Sequence, residues 1–386
     1  MKILILAHNL RSGGGISVAI NFIRSLIRSM EKHEYFFVVP DLQSYQVLDY
    51  GNHMVYFFRY RNLAQRLWFD YFTLRKIHDQ FHPDRILGLG NFGLRKVGTP
   101  QAILLHEPHL VKPEKSGYTP THPFDRLLAF IKKYRFKHML FFVHLVFCQT
   151  KSMQSQFLNR YRFRGRTEIL PNVLSEYIQH FEKGEKHLNH IVPEVALKQK
   201  NKFKLFQLGK YYPHKNFELG IQLFKNNREK LQDVVLIITV DQSDDRGARK
   251  LLKEIEKYSL SEHIINVGHI DQRKLQNYFL SCNALFFPTL TESFSATYLE
   301  AMYFDLPILT SDLDFAHEIC DEAALYFDPR SPDAALEAIL RIKNNEPLRS
   351  ELTEKGKVRL GHFIQSWDTV ASKTIAAMET LEMTRT

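Results

Sequence analysis

Cysteine is scarce in this chain, with three residues among 386. Cys148, Cys282 and Cys320 form no Cys-x-x-Cys pair, and each lies in or beside an apolar run. An odd, scattered set of this kind excludes a disulfide framework and a cysteine-based metal site. We therefore predict that these cysteines are small core residues in a reducing compartment.

Long hydrophobic runs are also missing. No stretch reaches the roughly 18 apolar residues that a membrane span requires. The N-terminal run Ile3–Ala7 stops at His8, which is too short for a signal-peptide core and predicts a first buried strand. We expect the protein to be cytoplasmic.

The composition is that of a globular protein, with 44% hydrophobic and 24% charged residues. Disordered and collagen-like classes are excluded. A chain of 386 residues is too long for one ordinary core and suits two domains of roughly 150–200 residues each.

A formal net charge of +10 points to anionic partners, either phosphorylated substrates, an acidic membrane surface or nucleic acid. No zinc-finger, RNA-binding or helix-turn-helix signature accompanies it, so nucleic acid is not an expected partner. Residues 123–142 mix lysine and arginine with phenylalanine and leucine. That pattern is typical of a helix in a lipid interface, and equally of a core helix with its basic face in water.

Short apolar runs alternate with helical patterns, which is typical of a parallel α/β fold. The helix after the first run has one apolar stripe, formed by Ala19, Phe22, Ile23, Leu26, Ile27 and Met30. The second half repeats the alternation after a hydrophilic stretch. We predict a first Rossmann-like domain over 1–180, a linker over 181–202, a second such domain over 203–365, and a last helix over 366–386 that packs back on the first domain.

The most informative segment carries two glutamates, Glu292 and Glu300, with seven residues between them. Residues 284–288 read as a buried strand, and Ala296 to Phe304 has helical spacing. We predict that Ser293 or Ser295 caps this helix. Free amides at its start would form a cradle for a phosphate. Two solvated glutamates beside an ordinary helix remain the alternative.

Five segments in order resemble the family 4 retaining glycosyltransferases of the GT-B fold, also described as glycosyl transferases group 1. The Glu292-Ser-Phe-Ser-Ala-Thr-Tyr-Leu-Glu300-Ala-Met segment resembles that family's Glu-x7-Glu element. The other segments are Ser12-Gly-Gly-Gly, Leu170-Pro-Asn172, Gly209-Lys-Tyr-Tyr-Pro-His-Lys215 and Val267-Gly-His. The resemblance covers nearly the whole chain and implies two Rossmann-like doubly wound domains that face a central cleft.

The resemblance also implies roles for single residues. Lys210 and Lys215 would neutralise a donor diphosphate, and Glu292 would bind sugar hydroxyls while Glu300 binds the ribose diol. The amides of Ser293, Phe294 and Ser295 would hold the distal phosphate. Gly14 and Gly15 would let the backbone approach the donor closely, and His106 would assist near the donor sugar. Each role has an alternative. Lys210 and Lys215 could lie in a solvated loop, Gly14 and Gly15 could form a flexible turn, and His106 could be structural.

The chain departs from the family pattern at two positions. Ser295 stands where the family usually has glycine. Lys210 stands where the family usually has arginine, so an ammonium group replaces a guanidinium group that could donate two parallel hydrogen bonds. Asp312-Leu-Asp314 matches the Asp-x-Asp pattern of a metal site, but it lies in the second domain, where the family does not bind metal. We therefore interpret it as a loop and helix cap. We expect neither a cofactor nor a metal.

The function that follows from the resemblance is retaining transfer of a hexose from a nucleoside-diphosphate sugar, GDP-mannose or a UDP-hexose, to an acceptor hydroxyl. We expect a polysaccharide or lipid-linked glycan as acceptor and a peripheral position on the anionic inner face of the cytoplasmic membrane. A nucleotide-sugar epimerase and a non-catalytic nucleotide-sugar-binding protein are the alternatives.

Overall fold

The computed structural model describes residues 1–29, 33–112, 123–179, 193–363 and 366–382. These residues divide into two compact units. The first contains the described residues up to 173 together with 366–382, and the second contains the described residues from 174 to 363.

The first unit is built on a seven-stranded parallel sheet with the strand order β3-β2-β1-β4-β5-β6-β7. Its strands are β1 (Lys2–Leu6), β2 (Glu34–Pro40), β3 (Met54–Phe58), β4 (Arg85–Gly88), β5 (Gln101–Leu105), β6 (Leu145–Cys148) and β7 (Arg166–Ile169). Its helices up to β7 are α1 (Gly14–Arg28), α2 (Gln43–Gln46), α3 (Leu63–Trp68), α4 (Leu74–Phe81), α5 (Pro123–Met139) and α6 (Lys151–Arg160), with a π-helical turn at Phe69–Thr73.

The second unit has a six-stranded parallel sheet with the order β10-β9-β8-β11-β12-β13. Its strands are β8 (Phe203–Gln207), β9 (Val234–Ile238), β10 (Ile264–Asn266), β11 (Ala284–Phe287), β12 (Ile308–Ser311) and β13 (Ala324–Phe327). Its helices are α7 (Glu176–Gln179), α8 (Glu194–Lys198), α9 (Glu218–Asn226), α10 (Arg246–Lys257), α11 (Leu275–Ser281), α12 (Ala296–Tyr303), α13 (Asp314–Cys320), α14 (Pro332–Asn344) and α15 (Glu346–Leu360).

Continuous apolar runs form the central strands because helices cover both faces of each sheet. Ile3, Leu4 and Ile5 of β1 are completely buried, as are Leu285 and Phe286 of β11. Strands of this kind are typical of parallel α/β sheets. The predicted α/β class, with two doubly wound sheets, is confirmed.

The last helix, α16 (Trp367–Glu379), belongs to the first unit. Trp367, Val370 and Met378 share a core with Phe22 of α1. Arg85 donates a hydrogen bond to the Met378 carbonyl over 2.9 Å. The helix thus occupies Trp367–Glu379 of the predicted last segment, 366–386, which the structure describes as far as residue 382.

Two predicted segments fall partly outside the described residues. Met30, the last member of the predicted α1 stripe, lies outside them, whereas Phe22 and Leu26 are buried. The predicted linker is described only from residue 193, where it contains the short helix α8. No helix in the described ranges is both long and apolar enough to cross a membrane.

Helix α5 has an exposed apolar face. Leu127, Phe130, Ile131 and Tyr134 recur at helical spacing and are 43–66% exposed, while Phe136 and Met139 are buried. Phe136 and Met139 pack in the core as the core-helix alternative expects, but that alternative does not account for the four exposed apolar side chains.

Candidate functional site

The predicted site residues of the second unit lie on two loops at one edge of its sheet. The strand order reverses between β8 and β11, and the loops that follow these two strands carry Lys210, Lys215 and Glu292. Ligands of doubly wound sheets bind at such a reversal, outside the carboxyl ends of the strands.

Lys215 and Glu292 form a buried ion pair at this position. The Lys215 Nζ lies 2.6 Å from Glu292 Oε1, and the two side chains are 15% and 12% exposed. The Thr289 hydroxyl donates to the same carboxylate oxygen over 2.9 Å. The Lys215 ammonium also lies 4.6 Å from the centre of the Phe287 ring, a cation–π contact.

The pKa of Glu292 reflects this environment. Burial alone would raise the pKa, but the charges of Lys215 and His214, with hydrogen bonds from Lys215 and Thr289, outweigh it and lower the pKa below its usual value. Glu292 is therefore a carboxylate at neutral pH, and it can accept further hydrogen bonds from hydroxyl groups.

Backbone contacts hold the two loops together. Asn216, which has a left-handed φ of 58°, donates from Nδ2 to the carbonyls of Pro288 and Pro329 over 3.1 and 2.8 Å. The Leu290 amide donates to the His214 carbonyl over 2.7 Å. Because asparagine tolerates this backbone conformation, Asn216 can turn the chain directly after Lys215 and fix the lysine beside the second loop.

Lys210 has a different partner. Its Nζ lies 3.4 Å from Asp244 Oδ1, and the lysine side chain is 34% exposed. The other oxygen of Asp244 accepts a hydrogen bond from the Tyr211 amide over 3.0 Å. Asp244 therefore positions both the loop and the lysine, and Lys210 keeps a partly solvated charge.

Helix α12 starts directly after Glu292 and the two serines. Ser295 occupies its N-cap position, as predicted for one of the two serines, but the Ser295 side chain makes no capping hydrogen bond. No acidic residue lies in the first turn. Phe294 is buried, in an edge-to-face contact with Phe363. The helix start thus retains its positive end for an anion.

Glu300 lies in the second turn of α12 and is buried. Burial raises its pKa to about 7, because a carboxylate loses hydration there without gaining a cation. Near neutral pH this group exists in both protonation states, which suits a side chain that meets hydroxyl groups.

Gly14, Gly15 and His106 lie in the first unit. Gly13 is the N-cap of α1, with a φ of 62°, and Gly14 has open space where a Cβ would stand. Gly15 packs against Leu10, so its missing side chain serves packing. His106 donates its backbone amide to Asn91 Oδ1 over 2.7 Å, and burial lowers its pKa to about 4.

Asp312 and Asp314 do not form a metal site. Asp312 Oδ1 lies 2.6 Å from His317 Nε2, and Asp314 is the first residue of α13, whose N-cap is Leu313. The predicted helix cap at this motif is therefore wrong, since the carboxylate lies inside the first turn. Among the described residues, no group of three or more histidine, cysteine, aspartate or glutamate side chains could hold a metal ion.

Thr289, Asn216 and Asp244 were missed by the sequence analysis. Asn216 directly follows Lys215, so an asparagine after a short turn was an available signal. Thr289 lies three residues before Glu292, within the same loop, whereas Asp244 reaches Lys210 through the fold and no local pattern marks it.

Comparison with known proteins gives a consistent picture. Residues 190–359 match the family model described as Glycosyl transferases group 1. The O-antigen chain mannosyltransferase RfbU of Salmonella typhimurium is 25% identical over 174 residues, which are 45% of each of the two proteins. This chain therefore spans less than half the length of that curated relative.

Solved structures are similar over almost the whole chain. Sucrose-phosphate synthase from Thermosynechococcus elongatus has a TM-score of 0.75 and 16% identity, with 98% of both chains covered. Anabaena HepE, solved in complex with UDP and glucose, has a TM-score of 0.73 and 14% identity, over 99% of this chain and 100% of HepE. This likeness confirms the predicted GT-B fold class.

Proposed function

We propose that this protein, whose residues 190–359 match the group 1 glycosyl transferases, is a retaining glycosyltransferase. It transfers a hexose from a nucleoside-diphosphate sugar to an acceptor hydroxyl. The observation that carries the proposal is the buried Lys215–Glu292 pair at the sheet reversal, directly before the start of α12.

The donor diphosphate fits the charges of the second unit. Lys215 and Lys210 supply two cations, and the α12 start supplies free amides and a helix dipole. A leaving nucleoside diphosphate gains negative charge as the bond to the sugar breaks. Fixed positive groups stabilise that charge better than water does, because they need no reorganisation.

The Lys215–Glu292 pair also explains how both side chains stay charged and in place before the donor binds. A donor phosphate competes for the Lys215 ammonium and leaves the Glu292 carboxylate available to a sugar hydroxyl. Glu300, one to two turns into α12, accepts hydrogen bonds from the ribose diol. The same short segment then binds the phosphate, the sugar and the ribose.

Two donors fit the comparisons. The name of RfbU specifies a mannosyltransferase, which favours GDP-mannose, and HepE binds UDP and glucose, which favours a UDP-hexose.

A screen of UDP-, GDP- and ADP-sugars for thermal stabilisation and sugar transfer tests the proposal. We expect one base to stabilise the protein, and product to require an acceptor; product without acceptor would indicate an epimerase instead.

His106, Gly14 and Gly15 are assigned to the same reaction by the family resemblance alone. His106 is neutral at pH 7 because its pKa is lowered to about 4, so it would act as a hydrogen-bonding group and not as a cation. His106→Ala tests this role: we expect a fall in kcat with an unchanged dissociation constant for the nucleoside diphosphate. Unchanged turnover would remove His106 from the site.

A glycan or lipid-linked acceptor is proposed together with peripheral binding to an anionic membrane. The support is the exposed apolar face of α5, formed by Leu127, Phe130, Ile131 and Tyr134. Two cations of this helix already bind carboxylates, Lys132 with Glu107 over 2.5 Å and Arg135 with Asp70 over 3.0 Å. The apolar face is therefore the stronger argument, and Lys137 adds charge beside it.

A further inference from the structure

A pocket in the first unit lies away from the residues discussed so far. It opens between the end of β3, the helix α3 and the π-helical turn that follows α3, and has a volume of about 570 Å³. Its lining includes Tyr56, Phe58, Arg59, Arg61, Gln65 and Trp68. We call it the arginine–aromatic pocket.

The walls of the pocket are aromatic and accessible. Trp68 is 64% exposed and Tyr56 is 38% exposed, whereas Phe58 and Phe69 are buried beneath them. Large aromatic side chains in water are unfavourable unless they serve an interaction. Aromatic rings beside a few polar groups suit a sugar-binding site. The C–H faces of a sugar pack on aromatic rings, and its hydroxyl groups form hydrogen bonds with polar atoms.

The rim of the pocket carries uncompensated positive charge. Within the residues that the structure describes, the side chains of Arg59 and Arg61 have neither an ion pair nor a hydrogen bond, and both are exposed. No aspartate or glutamate occurs anywhere in residues 51–69. Arginine presents a planar fork of donors that matches phosphate and carboxylate.

Two further arginines pack on Tyr60, the residue between Arg59 and Arg61 in the sequence. The guanidinium carbons of Arg11 and Arg66 are 4.4 and 5.9 Å from the centre of the Tyr60 ring. Arg11 Nη1 and Arg66 Nε are buried and have no hydrogen-bond partner among the described residues. The two guanidinium groups therefore add positive charge beside the segment that carries Arg59 and Arg61.

Two acids, Asp41 and Asp70, lie near these arginines, against the four guanidinium groups of Arg11, Arg59, Arg61 and Arg66. Asp70 accepts hydrogen bonds from Arg135 and lies 3.1 Å from His8 Nε2, and Asp41 accepts from the Gln46 amide over 2.5 Å. Asp70 also interacts electrostatically with Arg66, which offsets only one of the arginine charges. The pocket therefore remains positive, and a neutral ligand would leave Arg59 and Arg61 without partners.

We propose that the arginine–aromatic pocket binds a sugar that carries a phosphate or a carboxylate, as part of the acceptor. This inference rests on the proposed glycosyltransferase function, and it adds that the acceptor is anionic. Trp68 and Tyr56 pack on the sugar ring, and Arg59 and Arg61 bind its charged group. A sugar phosphate and a uronic acid share this chemistry.

Tryptophan fluorescence can test the proposal directly, because the chain has two tryptophans and only Trp68 is exposed, Trp367 being 3% exposed. Glucose 1-phosphate, glucuronic acid, glucose and inorganic phosphate are titrated into the full chain. We expect the two anionic sugars to change the Trp68 signal at concentrations at least tenfold below those of glucose and of inorganic phosphate. The two anionic sugars also separate a phosphate source from a carboxylate source.

A matched pair of double variants supplies the control. Arg59→Ala with Arg61→Ala removes the rim charge, whereas Arg162→Ala with Arg164→Ala removes the same charge from another exposed Arg-aromatic-Arg segment of the first unit. We expect the first pair to weaken anionic sugar binding at least tenfold and the second pair to leave it unchanged. Trp68→Phe should abolish the signal.

The proposal is overturned if glucose or inorganic phosphate binds as tightly as the anionic sugars, if nothing binds, or if both double variants behave alike. It is also overturned if the Arg59/Arg61 variant loses only binding to phosphatidylglycerol vesicles, since the arginines would then serve a membrane. Donor binding is measured in parallel. A protein that binds anionic sugars but no nucleotide sugar would contradict the proposed function and not this pocket.

Discussion

At the scale of single residues, the proposed chemistry depends on the ion pair between Lys215 and Glu292. The two atoms in contact belong to residues 77 positions apart, and both side chains are largely removed from water. Truncating one partner of such a pair leaves a buried charge without compensation.

Replacing Lys215 with alanine should therefore impair both stability and function. We expect the free energy of unfolding to fall by about 3 kcal/mol, and turnover to fall at least a hundredfold, since the leaving diphosphate loses its closest cation. Urea unfolding and a transfer assay measure the two effects.

Lys343→Ala is the control for that experiment. Lys343 is also mostly buried, at 18% exposed, and lies 2.5 Å from Asp233, but it is on α14 away from the two loops. We expect a loss of stability with unchanged donor affinity. Equal losses of donor affinity in the two variants would show that Lys215 acts only through folding.

Glu300 should make donor binding depend on pH near neutrality. Its pKa is raised to about 7, above the unfolded value of roughly 4.3, so its neutral form is favoured in the fold. The stability that this shift contributes is fully present below about pH 4 and is lost as pH rises to about 7, by about 4 kcal/mol in total.

Glu300→Gln should remove this pH dependence. We expect the variant to gain stability relative to the parent between pH 5 and pH 8, because it has no carboxyl to ionise. Donor affinity of the parent should rise several-fold over the same range, as the carboxylate becomes available to the ribose diol, and the variant should show no such rise. A flat parent profile would exclude Glu300 from the ribose site.

At the scale of elements, the start of α1 separates a glycine that the backbone conformation requires from one that it does not require. Gly13 has a φ of 62°, which a residue with a Cβ rarely adopts, whereas Gly14 is helical and has free space around it. The sequence alone cannot distinguish the three consecutive glycines Gly13, Gly14 and Gly15, because they differ only in backbone conformation and surroundings.

Gly14→Ala should fold normally and still lose activity. We expect the free energy of unfolding to stay within about 0.5 kcal/mol of the parent, because alanine is acceptable in a helix. If the backbone at this position approaches the donor, the added methyl group should reduce kcat/KM at least tenfold. Thermal unfolding and steady-state kinetics check both statements, and full activity would remove Gly14 from the donor site.

Helix α5 shows what periodicity could and could not predict. The helix was evident from its spacing, but the sequence left two environments open, because which face meets solvent depends on the packing of Phe136 and Met139 against the sheet.

Phe130→Ser with Tyr134→Ser should reduce cosedimentation with phosphatidylglycerol vesicles at least fivefold. Leu197→Ser with Val358→Ser, two exposed apolar residues of the second unit, should leave cosedimentation unchanged; equal losses would contradict a specific face.

At the scale of the whole molecule, the alternation of buried runs and amphipathic helices was sufficient to predict two parallel α/β domains. Side-chain partners were not predictable, because contacts such as Lys210 with Asp244 join segments that share no local pattern. The arginine–aromatic pocket was also missed, since Arg59 and Arg61 read as ordinary solvated charges until Trp68 is placed beside them.

Independence from metals remains a prediction for the whole protein. In the proposed function, Lys210, Lys215 and the α12 start provide the positive charge that a divalent ion would otherwise supply. We expect transfer rates to change less than twofold on addition of excess EDTA. A complete loss that magnesium or manganese restores would contradict this assignment of charge to the lysines.

The most direct measurement is calorimetric titration of UDP, GDP and ADP into the parent protein and the Lys215→Ala variant. The account predicts that at least one of these nucleotides binds the parent and that the variant binds it at least tenfold more weakly. Absence of binding by all three, or equal affinity in the two proteins, would contradict a diphosphate site beside Lys215 and α12.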